Sequence, residues 1–432
     1  MVVKIEKLVY GGYAMGRVSG KVIFIKNALP EEEVRVKKIK EKKDYLLGEL
    51  EDILTPSPAR KKPECPHFLK CGGCDFQHVS YEYEVEFKKE MIKEIFLREK
   101  IEKEIDRIVP SPAEKGYRNK SECPVKGGKE IKIGFFAQKT HKVVNIKKCL
   151  LHPIKFNEIL SEIRVRIKRH RVSIYDEKTG KGNLRYVILR TNPAKDILLG
   201  FSSKNGYLPT SFWKGVEKKF KNLRGIVINY NPYSGSRITG DRIKTVYGRE
   251  YIKYKVKEKI FKVNFLSFFQ TNSYQFENLV SHVEEMLEPQ EGDRIADLYS
   301  GVGLFGISLA QDVRKILLIE QNPFSVEDAK SNIRINEIKN AEVIKGDASW
   351  VKEFDEIDKI ILDPPRKGVS EETIKAICKV KPARIVYVSC NPVTFLRDFK
   401  RLKEYYLLSN FVILDMFPRT SHIEVMGVLK RK

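Results

Sequence analysis

The sequence predicts a multidomain protein with an N-terminal small β-barrel, a central α+β domain and a C-terminal α/β domain. Three observations lead to this fold class. The chain has 432 residues, more than one hydrophobic core usually supports. The first 55 residues alternate apolar and polar side chains between turns, and from about Phe265 short apolar runs alternate with helical patterns. We place the domains at residues 1–56, 57–262 and 263–432.

The N-terminal segment is expected to build its barrel from short strands. Apolar and polar residues alternate over Val3–Tyr10, Ala14–Lys26 and Glu33–Ile53, and glycines separate these runs. Short strands of this kind usually close on themselves. The last strand carries a basic run from Arg35 to Lys43, which suits contacts with phosphate groups.

The central segment is predicted to mix helices and strands. A proline-rich linker at 55–58 and a cysteine-rich loop precede an amphipathic helix, roughly Tyr81 to Lys103, that we expect to pack on the C-terminal domain. Another helix is expected over Pro153–His170. Strand candidates are Ile131–Ala137, Val143–Ile146, Tyr186–Thr191, Ile197–Ser202, Gly225–Tyr230 and Tyr251–Val263. After Phe265 the alternation of helices and short strands predicts a doubly wound parallel sheet.

The composition points to a polyanionic partner. The formal net charge is +24, and the lysines are spread over almost the whole chain. Such a surface attracts nucleic acid, although a lysine- and glutamate-rich surface is also typical of heat-adapted proteins. No segment resembles a signal peptide or a membrane helix, so we expect a cytoplasmic protein without a membrane contact, whose thiols stay reduced.

Four of the seven cysteines suggest a metal site. Cys65, Cys71 and Cys74 fall within ten residues, with Gly72 and Gly73 between the last two, and Cys149 follows 75 positions later. Four thiols suit a tetrahedral zinc ion or an iron–sulfur cluster, and the spacing alone does not separate the two. Cys123 and Cys378 are isolated, and a structural role is expected for both.

A glycine-rich turn predicts a nucleotide site in the C-terminal domain. Gly301, Gly303 and Gly306 follow an apolar run that contains Asp297, and they formally match the dinucleotide fingerprint. Glycines allow close approach of the backbone to a ligand at a helix N-terminus. Asp297, four residues before the first glycine, favours a cationic or amine-bearing ligand over a pyrophosphate.

Four acidic residues end or follow four successive predicted strands. They are Asp297, Glu320, Asp347 and Asp363. An acid at such a position can accept hydrogen bonds from both hydroxyls of a ribose. Single acids at strand ends are often helix caps, but four in register favour the nucleoside site of a methyltransferase.

A cysteine at the end of another predicted strand suggests the reaction. Ser389-Cys390-Asn391-Pro392 follows an apolar run, and Asp363-Pro364-Pro365-Arg366 follows the run before it. Alone, Cys390 has the character of a small buried hydrophobic residue. Together with an acid and a nucleotide loop it suits addition of a thiolate to C6 of a pyrimidine, which makes C5 nucleophilic. Asp363 would stabilise the enolate, and Glu424 and His422 are the candidate bases for the C5 proton.

These motifs together resemble the RNA uracil-C5 methyltransferases. The resemblance covers essentially the whole chain and implies an RNA-binding TRAM barrel, a class I Rossmann-like methyltransferase domain, S-adenosyl-L-methionine and a [4Fe-4S] cluster. It implies Cys390 as the nucleophile and Glu424 as the base. The implied cluster ligands are Cys65, Cys71, Cys74 and Cys149, and the implied cofactor contacts are Gln270, Tyr299, Glu320, Asp347 and Asp363, to which the glycine turn adds Asp297, Gly301 and Gly303.

We therefore expect methylation of a uridine at C5 in structured RNA, with 23S ribosomal RNA favoured over tRNA and no obligate protein partner. A non-catalytic RNA-binding or redox-sensing iron–sulfur protein is the first alternative. It predicts the loss of at least one chemical residue, whereas Asp363, Cys390 and Glu424 are all present. A nicotinamide-dependent oxidoreductase is the second, and it depends on the glycine fingerprint alone.

Overall fold

The N-terminal segment forms a closed five-stranded barrel in this computed structural model. The structure describes the backbone of residues 1–432 and every side chain except that of Ile39. Neighbouring strands follow the order β1-β2-β3-β5-β4. Their bounds are Val2–Val9 for β1, Tyr13–Val18 for β2, Lys21–Lys26 for β3, Glu33–Glu41 for β4 and Tyr45–Thr55 for β5. The predicted barrel is therefore confirmed.

A long loop and a helix connect the barrel to the rest of the chain. The cysteine-rich loop at 56–80 is followed by helix α1, Tyr81–Glu99, and by the short strand β6, Arg107–Val109. The helix ends four residues before the predicted Lys103, because Lys100 adopts a left-handed backbone with φ 53°. Its buried face shares one apolar core with the barrel and with one side of the C-terminal sheet, where Phe96 packs on Phe411 at 4.7 Å between ring centroids.

The central segment contains a seven-stranded sheet in the order β13-β12-β11-β10-β7-β8-β9. The bounds are Lys120–Lys126 for β7, Lys132–Phe136 for β8, Val143–Asn145 for β9, Leu184–Thr191 for β10, Ile197–Ser203 for β11, Leu223–Tyr230 for β12 and Arg242–Gly248 for β13. Three helices accompany it, α2 at Ile154–Arg169, α3 at Thr210–Trp213 and α4 at Val216–Lys219. The chain then forms a separate hairpin of β14, Tyr251–Val256, and β15, Lys259–Asn264. A single strand over 251–263 was therefore the wrong prediction, and a turn at Lys257 with φ 47° divides it.

The C-terminal segment is an eight-stranded sheet with the order β18-β17-β16-β19-β20-β22-β21-β6. Its own strands are β16 at Arg294–Leu298, β17 at Lys315–Glu320, β18 at Ala341–Lys345, β19 at Lys359–Leu362, β20 at Arg384–Ser389, β21 at Tyr406–Leu414 and β22 at Glu424–Arg431. The helices are α5 at Phe276–Leu287, α6 at Leu304–Leu309, α7 at Pro323–Ile335, α8 at Glu371–Val380 and α9 at Pro392–Leu402. Strands β16 to β20 are parallel, which confirms the doubly wound fold, and β22 is antiparallel to both of its neighbours.

One strand of this sheet comes from outside the C-terminal segment. Strand β6 pairs in parallel with β21, with Ile108 opposite Ile413. The sequence placed these residues in the central domain, because three residues are too few to show a pattern. We therefore propose a division in which α1 and β6 belong with residues 263–432. Among the described residues, no helix is both long and apolar enough to cross a membrane.

Candidate active site

The predicted chemical residues gather at one edge of the C-terminal sheet. Strands β16, β17, β19 and β20 are parallel neighbours, so their carboxyl ends lie side by side. Cys390 follows β20, Asp363 follows β19 and Glu320 ends β17. Ligands of open α/β sheets bind in the crevice beyond such strand ends.

A cavity of about 780 Å³ opens at this edge. This volume suits a small-molecule cofactor with part of a substrate. Eight of the predicted residues line it, namely Gln270, Tyr299, Gly301, Glu320, Asp347, Asp363, Cys390 and Glu424. The sequence motifs therefore converge on one site, which includes both the glycine turn and the thiol.

Two predicted cofactor residues, Asp297 and Gly303, lie behind the cavity wall instead of on it. Asp297 is fully buried, and its Oδ2 accepts a hydrogen bond of 2.9 Å from the N–H of Gly306. Burial is the main cause that raises the pKa of Asp297 to about 8. Gly303 has φ 88°, and a Cβ there would lie 2.7 Å from the Ile307 side chain. Both residues shape the glycine turn, and a direct contact with a cofactor stays a prediction.

Two carboxylates in the cavity are held in fixed orientations by backbone N–H groups. Glu320 accepts a hydrogen bond of 2.9 Å from Gly301 and one of 2.7 Å from Asn322. Asp347 accepts one of 2.9 Å from Ser349. Tyr299 adopts a left-handed backbone with φ 62° and lines the same cavity. Glu320 and Asp347 therefore present ordered acceptors to a ligand that carries hydroxyl or amino groups.

The predicted chemical residues add two carboxyl groups and a thiol to the cavity wall. Asp363 Oδ2 accepts a hydrogen bond of 2.9 Å from Gln270 Nε2. Burial raises the pKa of Asp363 to about 7, and burial together with the charge of Asp363 raises the pKa of Glu424 well above its usual value. Burial, followed by the charge of Glu424, raises the pKa of Cys390 to about 11. Burial therefore favours the protonated form of all three groups.

Arg366 is a cation of the cavity wall for which the sequence analysis predicted no role. Its charge lowers the pKa of both Cys390 and Glu424, which opposes the effect of burial. Its Nη2 lies 3.3 Å from Nε2 of His422. Burial and then this arginine lower the pKa of His422 to about 4, so the imidazole is neutral. Of the two candidate bases, Glu424 lines the cavity and His422 does not.

Tyr10 of the barrel does not line the cavity, but the charges of Cys390, Arg366 and Glu424 act on it. Burial, the charge of Cys390 and the charge of Glu424 raise the pKa of Tyr10 to about 12, while Arg366 acts in the opposite direction. Tyr10 precedes the turn between β1 and β2. Phe268 lines the cavity and is 62% exposed, and the sequence analysis did not predict it. Its signal in the sequence was its position next to Phe269-Gln270. In the structure, a large exposed aromatic residue beside such a site is a feature of binding surfaces.

The four predicted metal ligands line a second, smaller cavity. Cys65, Cys71, Cys74 and Cys149 all contribute to its wall. The N–H of Gly73 lies 3.4 Å from the sulfur of Cys71, and Gln77 Nε2 lies 3.5 Å from the sulfur of Cys74. In the described residues no group of three or more His, Cys, Asp or Glu side chains has the arrangement of a metal site. The thiols therefore share a cavity without forming a closed ligand shell.

The ionisation of these thiols differs from one to the next. Burial raises the pKa of Cys71 to about 11 and that of Cys74 to about 12. Burial also opposes ionisation of Cys149, but the hydrogen bond and charge of His152 outweigh it and lower the pKa to about 7. Cys123 is buried in the central sheet, and Cys378 lies on α8, so neither belongs to this cavity.

Comparison with known families matches the chain to two family models. The model described as tRNA (uracil-5-)-methyltransferase matches residues 80–432. The model described as TRAM domain matches residues 1–50, which include most of the barrel. The two matches together cover nearly the whole chain.

Similar proteins occur in bacteria and archaea. An uncharacterized RNA methyltransferase of Bacillus cereus is 34% identical over 99% of this chain and 95% of its own length. One from Synechocystis is 34% identical over 99% of this chain and 94% of its own length. The crystal structure of Pyrococcus abyssi tRNA (uracil-54, C5)-methyltransferase in complex with S-adenosyl-L-homocysteine matches with a TM-score of 0.79 and 31% identity, covering 99% of this chain and 100% of that chain.

Proposed function

The chain belongs to the tRNA (uracil-5-)-methyltransferase family and carries a TRAM domain, and from this membership we propose that it transfers a methyl group from S-adenosyl-L-methionine to C5 of a uridine in structured RNA. One observation carries the proposal. Cys390, Glu424 and Asp363 line the same cavity as the glycine turn and the strand-end acids. The proposed nucleophile, the proposed base and the proposed nucleoside site thus share one cavity of about 780 Å³.

The cavity suits a cationic nucleoside. Its wall includes three carboxylates, from Glu320, Asp347 and Asp363, and the first two are oriented by backbone N–H groups. We assign the ribose to Glu320, the adenine end to Asp347 and Tyr299, and the sulfonium end to Gln270 and Asp363. When bound, S-adenosyl-L-methionine supplies an electrophilic methyl group at that end.

Cys390 is proposed as the nucleophile. Its thiolate forms a bond to C6 of the uracil, and the electrons of the C5–C6 double bond move towards O4. Asp363, oriented by Gln270, faces the uracil edge and stabilises the enolate when it carries a proton. A carboxyl group whose pKa is raised to about 7 holds that proton over part of the neutral range.

Glu424 is proposed as the base that ends the reaction. It takes the proton from C5 after methylation, the C6–S bond breaks, and its electrons return to the sulfur of Cys390. A carboxylate with a raised pKa is a stronger base than an ordinary glutamate. Burial raises the pKa of Glu424 and of Cys390, and Arg366 favours their charged forms by acting in the opposite direction.

RNA is held, in this proposal, by the basic barrel and by an aromatic residue at the cavity. Arg35, Lys37, Lys38 and Lys40 are exposed on β4. Their charges, within a chain of net charge +24, suit the phosphate backbone. The exposed ring of Phe268 suits stacking on a base of an unpaired segment. The target uridine has to leave its stack to reach Cys390.

Two classes of RNA, ribosomal RNA and tRNA, are candidates for the substrate. The sequence favoured 23S ribosomal RNA because the chain carries a complete barrel. The Pyrococcus abyssi enzyme, which is named for uridine 54 of tRNA, matches 99% of this chain, so a barrel does not favour ribosomal RNA over tRNA. We propose both as candidate substrates. Methylation of total RNA from a strain lacking the enzyme, followed by mapping of the labelled nucleotide, separates them.

A [4Fe-4S] cluster is proposed for the cavity of the four cysteines. Four thiols with two nearby N–H donors form a donor set that suits such a cluster, and the resemblance to the family favours it over zinc. Its proposed role is to brace the central segment, in the reducing environment of the cytoplasm. Protein purified without oxygen should be brown and contain about four irons per chain. Colourless protein with one zinc ion contradicts the proposal.

The methyl-transfer proposal is tested with RNA that contains 5-fluorouridine. Fluorine cannot leave C5 as a proton does, so the wild-type protein should remain covalently attached to the RNA. Cys390→Ala should form no adduct, while Cys378→Ala should form as much as wild type. An adduct of unchanged yield in Cys390→Ala refutes the assignment. Calorimetry with S-adenosyl-L-homocysteine and with NAD separates the proposed cofactor from the nicotinamide alternative.

A further inference from the structure

The segment that leads to Glu424 is held by the cysteine loop. The backbone N–H groups of Asp75 and Phe76 donate to the carbonyl oxygen of Arg419, at 2.9 and 3.1 Å. The side chain of Asp75 continues this contact. Its Oδ2 accepts hydrogen bonds from the backbone N–H of Ser421 at 2.9 Å and from the Ser421 hydroxyl at 2.8 Å.

The other oxygen of Asp75 faces the barrel. Lys26 at the end of β3 donates to Asp75 Oδ1 at 3.1 Å and to the carbonyl oxygen of Gly11 at 2.8 Å. Gly11 belongs to the turn between β1 and β2. A Cβ at Gly12 in the same turn would lie 3.1 Å from Ser421 Cβ and 3.2 Å from Asp75 Cβ. The barrel turn, Asp75 and Ser421 are therefore in direct contact.

Given the proposed methyl transfer to C5, we propose that Asp75 is a positioning residue for Glu424 and ties the base to the RNA-binding barrel. Ser421 precedes Glu424 by three residues, and β22 begins only at Glu424. Between the two, the backbone has no strand partner to hold it. Asp75 fixes this stretch through two hydrogen bonds to one residue, and Lys26 fixes Asp75 from the barrel side.

Cys390 lies between two elements that make no hydrogen bond to Asp75. The thiol follows β20 and precedes α9. Loss of Asp75 should therefore leave formation of the C6–S bond intact and slow the later removal of the C5 proton. A displacement of about 1 Å at a catalytic group can cost on the order of 10²-fold in rate.

The test compares Asp75→Ala with wild type on RNA that carries deuterium at C5 of the target uridine. We expect turnover to fall on the order of 10²-fold, a primary isotope effect to appear, and adduct with ordinary uridine RNA to accumulate. The 5-fluorouridine adduct should form at the wild-type rate, since it needs Cys390 but no proton removal. Unchanged turnover, or a loss of turnover without an isotope effect, overturns the proposal.

Two further variants keep the outcome clear if Asp75→Ala disturbs the neighbouring Cys74. Ser421→Ala removes one of the two hydrogen bonds from the other side and should show the same isotope effect with a smaller loss of rate. Asp75→Asn keeps an oxygen acceptor for Ser421 and should restore most of the turnover. An isotope effect absent from Ser421→Ala also overturns the proposal.

Lys7→Ala is the matched control. It breaks a 2.6 Å ion pair with Glu94 between the barrel and α1. The side chains of this pair are 39% and 34% exposed, and those of Lys26 and Asp75 are 22% and 18% exposed. It should change neither the isotope effect nor the adduct. If wild-type protein forms no 5-fluorouridine adduct, the proposed function fails, whereas a normal wild-type adduct with an unaltered Asp75→Ala contradicts the role of Asp75 alone.

Discussion

The proposed nucleophile and the proposed base are held in different ways. Cys390 is held mainly by residues close to it in the chain and by Arg366, whose carbonyl oxygen accepts from Asn391 Nδ2 at 3.1 Å. Asn391 caps α9 by accepting from the N–H of Val393 at 3.2 Å, and its own N–H donates to Ser389 Oγ at 3.2 Å. Glu424 follows a loop, residues 415–423, that is held by side chains more than 300 positions away.

Those distant side chains form a buried network of charges. Lys88 on α1 donates to Glu84 and Asp415, at 2.8 Å each, and to the carbonyl oxygen of Phe417 at 3.2 Å. Glu84 Oε1 also accepts the backbone N–H of Arg419 at 2.6 Å. Lys88 and Glu84 are completely buried. Charges in such a place are tolerated only when every partner is present, so the loop has one favoured arrangement.

This difference predicts how substitutions near each residue will affect catalysis and stability. Substitutions near Cys390 should act locally, on the chemistry or on one helix end. Substitutions around Glu424 should act through contacts between distant parts of the chain, and they can change stability as well as catalysis. Four measurements test the difference, from the largest expected effect to the smallest.

Glu424→Gln should give the largest effect. The amide cannot take the C5 proton, so turnover should fall by roughly 10² to 10⁴-fold, which is the usual contribution of a general base. Protein attached to ordinary uridine RNA should accumulate and be visible on a denaturing gel. His422→Gln serves as the control and should resolve its adduct normally. Accumulation in the His422 variant instead makes the imidazole the base.

Lys88→Met should destabilise the whole fold. It takes the buried cation from Asp415 and leaves Glu84 with Arg419 alone, at 3.4 Å. Removing one partner of a buried ion pair costs about 3–5 kcal/mol. The free energy of unfolding from chemical denaturation measures it. Lys93→Met on the same helix breaks an exposed pair with Glu90 and should cost less than about 1 kcal/mol. Equal losses in the two variants contradict a special role for the buried network.

The rate of adduct formation should rise with pH. The thiolate is the reactive form, and burial together with the charge of Glu424 raises the pKa of Cys390 to about 11. Deprotonation is therefore incomplete at neutral pH, and the single-turnover rate with 5-fluorouridine RNA should increase by up to roughly tenfold per pH unit between pH 7 and 9. A flat profile means that bound RNA and cofactor have already lowered this pKa.

Asn391→Ala should have the smallest effect. It removes the cap of α9, which typically costs about 1 kcal/mol. The loss should appear in chemical denaturation and leave the covalent adduct in place. A destabilisation as large as that of Lys88→Met shows that the position of Cys390 also depends on long-range contacts.

The same difference explains what could be predicted from the sequence. Cys390, Asp363 and Glu320 lie at the ends of strands that are evident as apolar runs, so their convergence follows from the order of the parallel strands. Glu424 was found through its motif and its resemblance to a family. No local pattern predicts that Lys88 and Asp75 hold the loop before it.

Elements without a distinct local pattern were the ones missed. Strand β6 has three residues, and the turn at Lys257 lies within an evenly alternating run. Asp297 supports the glycine turn by accepting the N–H of Gly306, and its expected contact with the ligand stays a prediction. An acid before a glycine turn has the same sequence signature in both roles. The buried Lys88 and Glu84, four residues apart on the apolar face of α1, were a usable signal of an internal ion pair.

The pairing of β6 with β21 has a practical consequence for dividing the chain. A fragment that starts at residue 263 would leave the outer side of β21 without its partner, and unpaired edge strands invite aggregation. An expressible catalytic fragment should therefore begin before Tyr81. Chimeras between relatives should likewise move the stretch from α1 to β6 together with the C-terminal part, and place their junctions on either side of it.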